Sequence, residues 1–208
     1  LQTKFKLNLK MRTLVSEDTS KSNIAFNLLK ERLDSGSLLE FEIASNSMLP
    51  FLKIGDKVAI GNIMPNELKI GDIIVYKMRD SLCAHRYIYE LNTVSKLTSL
   101  ITKADSRFDF DPYLVSIEQL IGKVITVTRQ DTKINLENFL WKKINYLIGI
   151  LSFAQAFTIK ILRFLKSTII GKRPLPFFKQ IIAFPFLILI KSITVLAYLN
   201  KKIGLRFF

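Results

Sequence analysis

Two serines, Ser45 and Ser47, stand either side of Asn46 in the short polar stretch SNSMLP, which runs into FLKIGDKVAI. A serine hydroxyl is a weak nucleophile until a base removes its proton and a donor stabilises the oxyanion that forms. The only imidazole in the chain is His85, in CAHRYI, and carboxylates follow at Asp105, Asp109 and Asp111 in KADSRFDFD. Serine, imidazole and carboxylate together are the parts of acyl transfer through a covalent intermediate. Taken singly, Ser47 reads as a polar turn residue and His85 as a structural strand histidine. Only their joint placement carries chemistry.

Other groups nearby have plainer readings. Cys83 precedes His85 by two and shares its strand face, but the rise along a strand puts the two about 7 Å apart, too far for direct proton transfer. Cys83 therefore reads as packing. In an extended segment Asp109 and Asp111 share a face, so either can orient His85. Arg86 points to the face opposite His85 and reads as a solvated or phosphate-facing charge. Met48 reads as core or groove wall, and Lys57, in GDKV, as a solvated turn lysine.

The elements that must position these groups are mostly strands. Residues 20–34 carry Ile24, Phe26, Leu28, Leu29 and Leu33 on one face and stop before Gly36, which predicts a helix. From there to Arg129 the period shifts to two, in LLEFEIA, DKVAI, DIIVYK, LCAHRYIYEL, TSLITKA and GKVITVTR. The pentapeptide LKIGD occurs twice, at Leu52–Asp56 and Leu68–Asp72, each time feeding a β-prone run; Gly-Asp is a turn signal. The expected fold is mainly β, a compact domain of twisted antiparallel strands with a short N-terminal helix and a C-terminal helical pair, α+β overall. The segments are 1–40, the β domain 41–130 and a basic apolar tail 131–208.

Charge supports that division. Of 208 residues 49% are hydrophobic, which excludes global disorder, and the net charge is +14. From Asp131 onward 13 Lys/Arg face only Asp131 and Glu137, whereas the first 130 residues hold 18 basic and 15 acidic side chains. In the tail, Lys142, Asn145, Gly149, Ser152, Lys160, Arg163 and Ser167 recur at steps of three and four, Ala156 filling the missing beat. This is a narrow polar stripe along a helix otherwise covered in Leu, Ile and Phe. After a breaker at Gly171–Pro176, a second apolar run extends from Ile181 to Leu199 with Lys191 near its middle. Crossing a bilayer takes about 20 apolar residues, and a central lysine costs roughly 2.5–3.5 kcal/mol. The uncharged stretch Ile144–Ile159 is shorter than that, so the expected arrangement is a pair of amphipathic helices in the headgroup region, with Lys and Arg meeting anionic lipid; the alternatives are a spanning second helix and a soluble, partner-binding helical pair. No secretory signal or span is read before Ser45, and the opening Leu is consistent with a tag, a fragment or an alternative start. A lone Cys83 excludes an internal disulfide, and a single histidine excludes a His-rich metal site.

Taken in order, the boxes resemble the type I signal peptidase family. SNSMLPFLKIGDKV is similar to its nucleophile box, LKIGDIIVYK to the next strand, AHRYI to the base-bearing strand, LITKADSRFDFD to the acidic box and LIGKVITVTR to the closing strand. Each box alone is weak and the ordered set, Phe41 to Arg129, is specific. Histidine rather than lysine at position 85 resembles the branch of the endoplasmic-reticulum catalytic subunit and its archaeal relatives. The resemblance implies Ser47 as nucleophile, His85 as general base and then acid, and Asp111 as the carboxylate that orients His85. It further implies Asp105 as a support of the same loop and Ser45 as an aid to the oxyanion hole beside the backbone N–H of Ser47. No cofactor or metal is implied. The chain departs from the pattern at Ala104, where the family has a glycine able to take a positive φ, and at Ser106, where it has asparagine. It also departs in having its apolar material after the catalytic domain.

The function expected on these grounds is a serine endopeptidase cutting signal or leader segments from precursors bound in extended form. By family analogy it acts at the plasma membrane with an extracytoplasmic site. Lipid is the expected second partner, through residues 140–200; nucleic acid is not expected, because the charge rides on apolar helices rather than on aromatic-lined strands. The alternatives are a self-cleaving repressor-like peptidase, which needs a DNA-binding module not readable in the first 40 residues, and a non-enzymatic basic membrane-surface protein.

Overall fold

The computed structural model describes residues 18–92, 98–169 and 178–203. Helix α1 (Asp18–Asp34) leads into eight strands: β1 (Leu39–Glu42), β2 (Lys57–Gly61), β3 (Ile73–Met78), β4 (Ser81–Asn92), β5 (Thr98–Lys103), β6 (Val115–Ser116), β7 (Leu120–Arg129) and β8 (Thr132–Asn135). Helices α2 (Phe139–Ile169) and α3 (Phe178–Ile203) follow. The strands form one antiparallel sheet in the order β1-β2-β7-β3-β4-β5-β6, with β8 on β7. The α+β architecture matches the sequence-based expectation, α1 beginning two residues early. The breaker expected at 171–176 lies outside the described residues.

Register decides which side chains share a face. Ile74 faces His85 and Tyr76 faces Cys83 across β3–β4, while Tyr87 faces Thr102 and Arg86 faces Lys103 across β4–β5. Tyr76, His85 and Thr102 therefore lie on one side of the sheet, and Arg86 with Lys103 on the other. The His85 side has a small core of Ile74, Tyr76, Tyr87, Leu100, Val115 and Leu120. The opposite side has the larger core, where Met48, Phe51, Leu52 and Val75 meet Trp141 and Ile148 of α2 and Ile190 of α3.

The repeated LKIGD makes the same turn twice. The Asp56 carboxylate accepts from Lys53 N at 2.8 Å and Asp72 accepts from Lys69 N at 3.0 Å. The glycines take positive φ, +86° at Gly55 and +96° at Gly71, a conformation glycine adopts without a steric penalty. Each aspartate then pairs with a cation of β7, Asp56 with Arg129 and Asp72 with Lys123, so both turns are pinned to the strand that joins the two parts of the sheet.

Helix α2 lies on the second turn at backbone contact. A Cβ on Gly71 would fall 2.0 Å from the carbonyl oxygen of Asn145, and one on Gly149 would fall 2.6 Å from Gly71 Cα. This corrects the expected orientation of the polar stripe. Its centre, Asn145, Gly149, Ser152 and Ala156, is buried against the β domain, while Leu147, Ile150, Phe157, Ile161 and Phe164 are exposed. The close approach needs small residues, and Arg86 offers Asn145 a polar partner, so the polar face turns inward. Helix α3 packs through Ile190, Ile193, Ala197 and Tyr198, and the Tyr198 hydroxyl donates to Phe51 O at 3.2 Å. By length and composition Phe139–Leu165 is long and apolar enough to cross a membrane, a longer stretch than the uncharged run alone suggests.

Candidate active site

Ser47 sits in the loop between β1 and β2. Met48, Phe51 and Leu52 are buried beneath it, while Ser45 and Asn46 are exposed and Ser47 is half-buried. The apolar residues of the loop thus anchor it from below and leave the hydroxyls at the surface. Met48 is core, as one of its two readings had it. Ser47 Oγ lies 3.2 Å from Ser45 Oγ, either hydroxyl serving as donor. Among the described residues no hydrogen bond joins Ser47 to His85. Catalytic hydrogen bonds are often long before substrate binds.

His85 is on β4, held by its ring nitrogen. Nδ1 lies 2.7 Å from Asp111 Oδ2 and 3.1 Å from the Tyr76 hydroxyl. Thr102 Oγ1 donates to the same Asp111 oxygen at 2.8 Å, and Asp111 N donates to Thr102 O at 2.9 Å, which fixes the acid against β5. Burial opposes ionisation of Asp111. The bond and charge of His85, the Thr102 hydroxyl and a backbone bond from Ala104 together outweigh it and hold the carboxyl below its usual range. Asp111 is therefore a carboxylate at neutral pH, in place to orient an imidazole.

The segment 104–111 also holds the serine loop, because Ser106 N donates to Ser47 O at 3.0 Å. The Ser47 loop and Asp111 thus hang from one segment. Ala104 is buried and is not among the described residues of positive φ, so a side chain is tolerated where the resembled family has glycine. Asp109 and Asp111 do not share a face: the segment turns, and Asp109 pairs with Arg163 of α2 at 2.6 Å. Cys83 lies against Met78, its sulfur 4.0 Å from the thioether, as packing predicts.

Arg86 corrects a second expectation. It is fully buried, because the face opposite His85 is covered by the Phe51 loop and α2 rather than by water. Its guanidinium binds Asp105 through Nε at 2.8 Å and Nη2 at 2.7 Å, and Nη1 donates to Gly71 O at 2.6 Å and Asn145 Oδ1 at 3.1 Å. Its carbon stands 5.0 Å from the Phe51 ring centre. Asp105, expected as a support of the acidic loop, is held by this pair.

Lys103 is equally buried, and its ammonium donates to Ala104 O at 3.3 Å. Burial pulls it down to about 8 against the attraction of Asp105, with Arg86 repelling it. From about pH 8 up to the ordinary lysine value the unfolded chain keeps this proton and the folded chain does not, so Lys103 makes stability rise with pH there. The melting temperature of the wild type should gain on that of Lys103→Met between about pH 7 and about pH 9. A constant difference would contradict the assignment.

Tyr76, Thr102, Arg86 and Lys103 were not readable as site residues. Their signal is the strand register, which places them beside His85 or behind it only once β3, β4 and β5 are paired.

No family model matches the chain, and no curated protein is similar to it. The chemistry therefore rests on the site itself.

Proposed function

We propose that this protein is a serine endopeptidase of the signal peptidase type, acting on extended precursor segments at a membrane surface. The observation that carries this reading is the 2.7 Å bond between His85 Nδ1 and Asp111 Oδ2, made from the same segment, 104–111, that binds the Ser47 loop. In the proposed reaction His85 Nε2 takes the Ser47 proton as Oγ attacks the scissile carbonyl. The oxyanion meets the Ser47 N–H and the Ser45 hydroxyl. Protonated His85 then gives its proton to the leaving amine, and water, activated by the same nitrogen, releases the acyl group. The test is cleavage of a leader-bearing precursor by vesicle-bound wild type beside Ser47→Ala and His85→Ala. Turnover by wild type alone supports the reading; equal turnover by all three overturns it.

The membrane half of the proposal follows from α2. The helix touches the β domain from Asn145, on Arg86, to Arg163, on Asp109, a length of about 27 Å at 1.5 Å per residue. Crossing a bilayer would strip Asn145, Ser152 and Gln155 of that cover, so the helix lies along the surface with its apolar side outward. Phe157, Ile161 and Phe164 of α2 and Phe184, Ile188 and Leu196 of α3 are the exposed groups that would enter the lipid. Co-sedimentation with phosphatidylserine vesicles should be strong and salt-sensitive, and Phe157→Glu with Ile161→Glu should release the protein. Preference for single-stranded DNA over those vesicles would favour a nucleic-acid surface instead.

A further inference from the structure

Asp111 alone does not account for the polar groups around His85. The Tyr76 hydroxyl is buried 3.1 Å from Nδ1, the ring atom already bonded to Asp111, and the two rings meet edge to face with centroids 6.0 Å apart. Nδ1 carries at most one proton or one lone pair, so its two partners compete to define it. If Tyr76 donated to Nδ1, the ring proton would sit on Nε2, and two acceptors would face each other at the 2.7 Å contact with Asp111. An ionised Asp111 forbids that arrangement. The Nδ1–H therefore points to Asp111 with the Tyr76 oxygen as second acceptor, and the phenol proton must go elsewhere. Thr102 Oγ1 donates to the same Asp111 oxygen at 2.8 Å and so holds that acceptor against Nδ1. Burial also keeps the phenol neutral by pushing its ionisation well above the ordinary value.

We propose that Tyr76 and Thr102 are positioning residues that hold the His85–Asp111 contact from its two ends, Tyr76 at Nδ1 and Thr102 at Asp111 Oδ2, locking the imidazole with its proton on Nδ1 and a free lone pair on Nε2. Tyr76 is 1% exposed and Thr102 0%, so water cannot replace either hydroxyl. A half-turn of the imidazole about its stem would set a carbon against both Asp111 and Tyr76 and is disfavoured. The kinetic consequence rests on the peptidase reading; the proton placement does not.

His85 is the only histidine in the chain, so its ring signals in nitrogen and proton NMR need no assignment. At alkaline pH, wild type should show a protonated Nδ1, a bare Nε2 and a far-downfield N–H line. Tyr76→Phe keeps the ring and removes only the oxygen. It should shift or broaden that line, mix in the other tautomer, and lower kcat about tenfold, the worth of one hydrogen bond, with KM unchanged within about twofold. Thr102→Val, which removes the hydroxyl bonded to Asp111 without touching the aromatic packing, should do the same and stands in if Tyr76→Phe does not fold. A wild-type proton on Nε2 overturns the proposal, as does a line unmoved in both variants. If the line moves as expected but no peptide is cleaved by wild type, the ring lock stands and the peptidase reading falls.

Discussion

Ser47→Ala should lower kcat for cleavage of an extended leader peptide by about 10⁴-fold or more. In the proposed reaction Oγ forms the acyl bond, so its removal leaves only groups that stabilise the oxyanion or bind substrate. His85→Ala should cost a similar amount, and the double variant little more, because nucleophile and base act as one unit. Asp111→Asn should cost less than either but still about 10²–10⁴-fold, since an amide in that place no longer fixes the imidazole proton. Asp109→Asn should stay near wild type: its carboxylate faces Arg163, and an exposed pair of that kind contributes little. The pair of aspartate variants reads directly on a choice that spacing left open. Steady-state kinetics on one precursor settles all five, and equal loss in Asp109→Asn and Asp111→Asn would sink the assignment of the acid.

The largest effect on stability is expected from Arg86→Met. Arg86 and Asp105 are both 0% exposed, so removing the guanidinium leaves a carboxylate without its bidentate partner in a place water does not reach. Breaking a buried pair from one side costs about 3–5 kcal/mol. Lys103, whose ammonium also faces Asp105, should hold the loss to the lower part of that range. The variant also frees Gly71 O and Asn145 Oδ1, so α2 should loosen from the second LKIGD turn. For a chain of this size the melting temperature should fall by roughly 10 °C. Arg86→Met with Asp105→Leu should recover most of it, because the cost lies in the unpaired charge rather than in the lost attraction. Chemical denaturation of the two variants distinguishes these outcomes: a double variant no better than the single would show that the pair itself holds the fold.

Period and turn chemistry determined most of the architecture from the residues alone. Alternation from Leu38 to Arg129 specifies strands because side chains on a pleated chain alternate faces whatever the partner. LKIGD specifies its turn because glycine can take a positive φ and aspartate can cap the preceding backbone, both local events, and the two copies fold alike. The ordered serine, histidine and acidic boxes likewise named the candidate groups. Direction in space was not legible. Which of Asp109 and Asp111 meets His85 depends on the bend at Phe108–Asp109 and on Arg163, 54 residues further on. Arg86 read as solvated because its strand neighbours say only that it opposes His85, and what lies on that side is supplied by α2 and the Phe51 loop. The polar stripe of α2 identified a helix with two unlike faces, but periodicity is blind to which face has a partner. Tertiary packing turned the stripe inward, where Gly149 crosses Gly71 and Asn145 reaches Arg86, and left the apolar face outside. Local interactions set the elements; long-range contacts set which groups meet and which are kept from water.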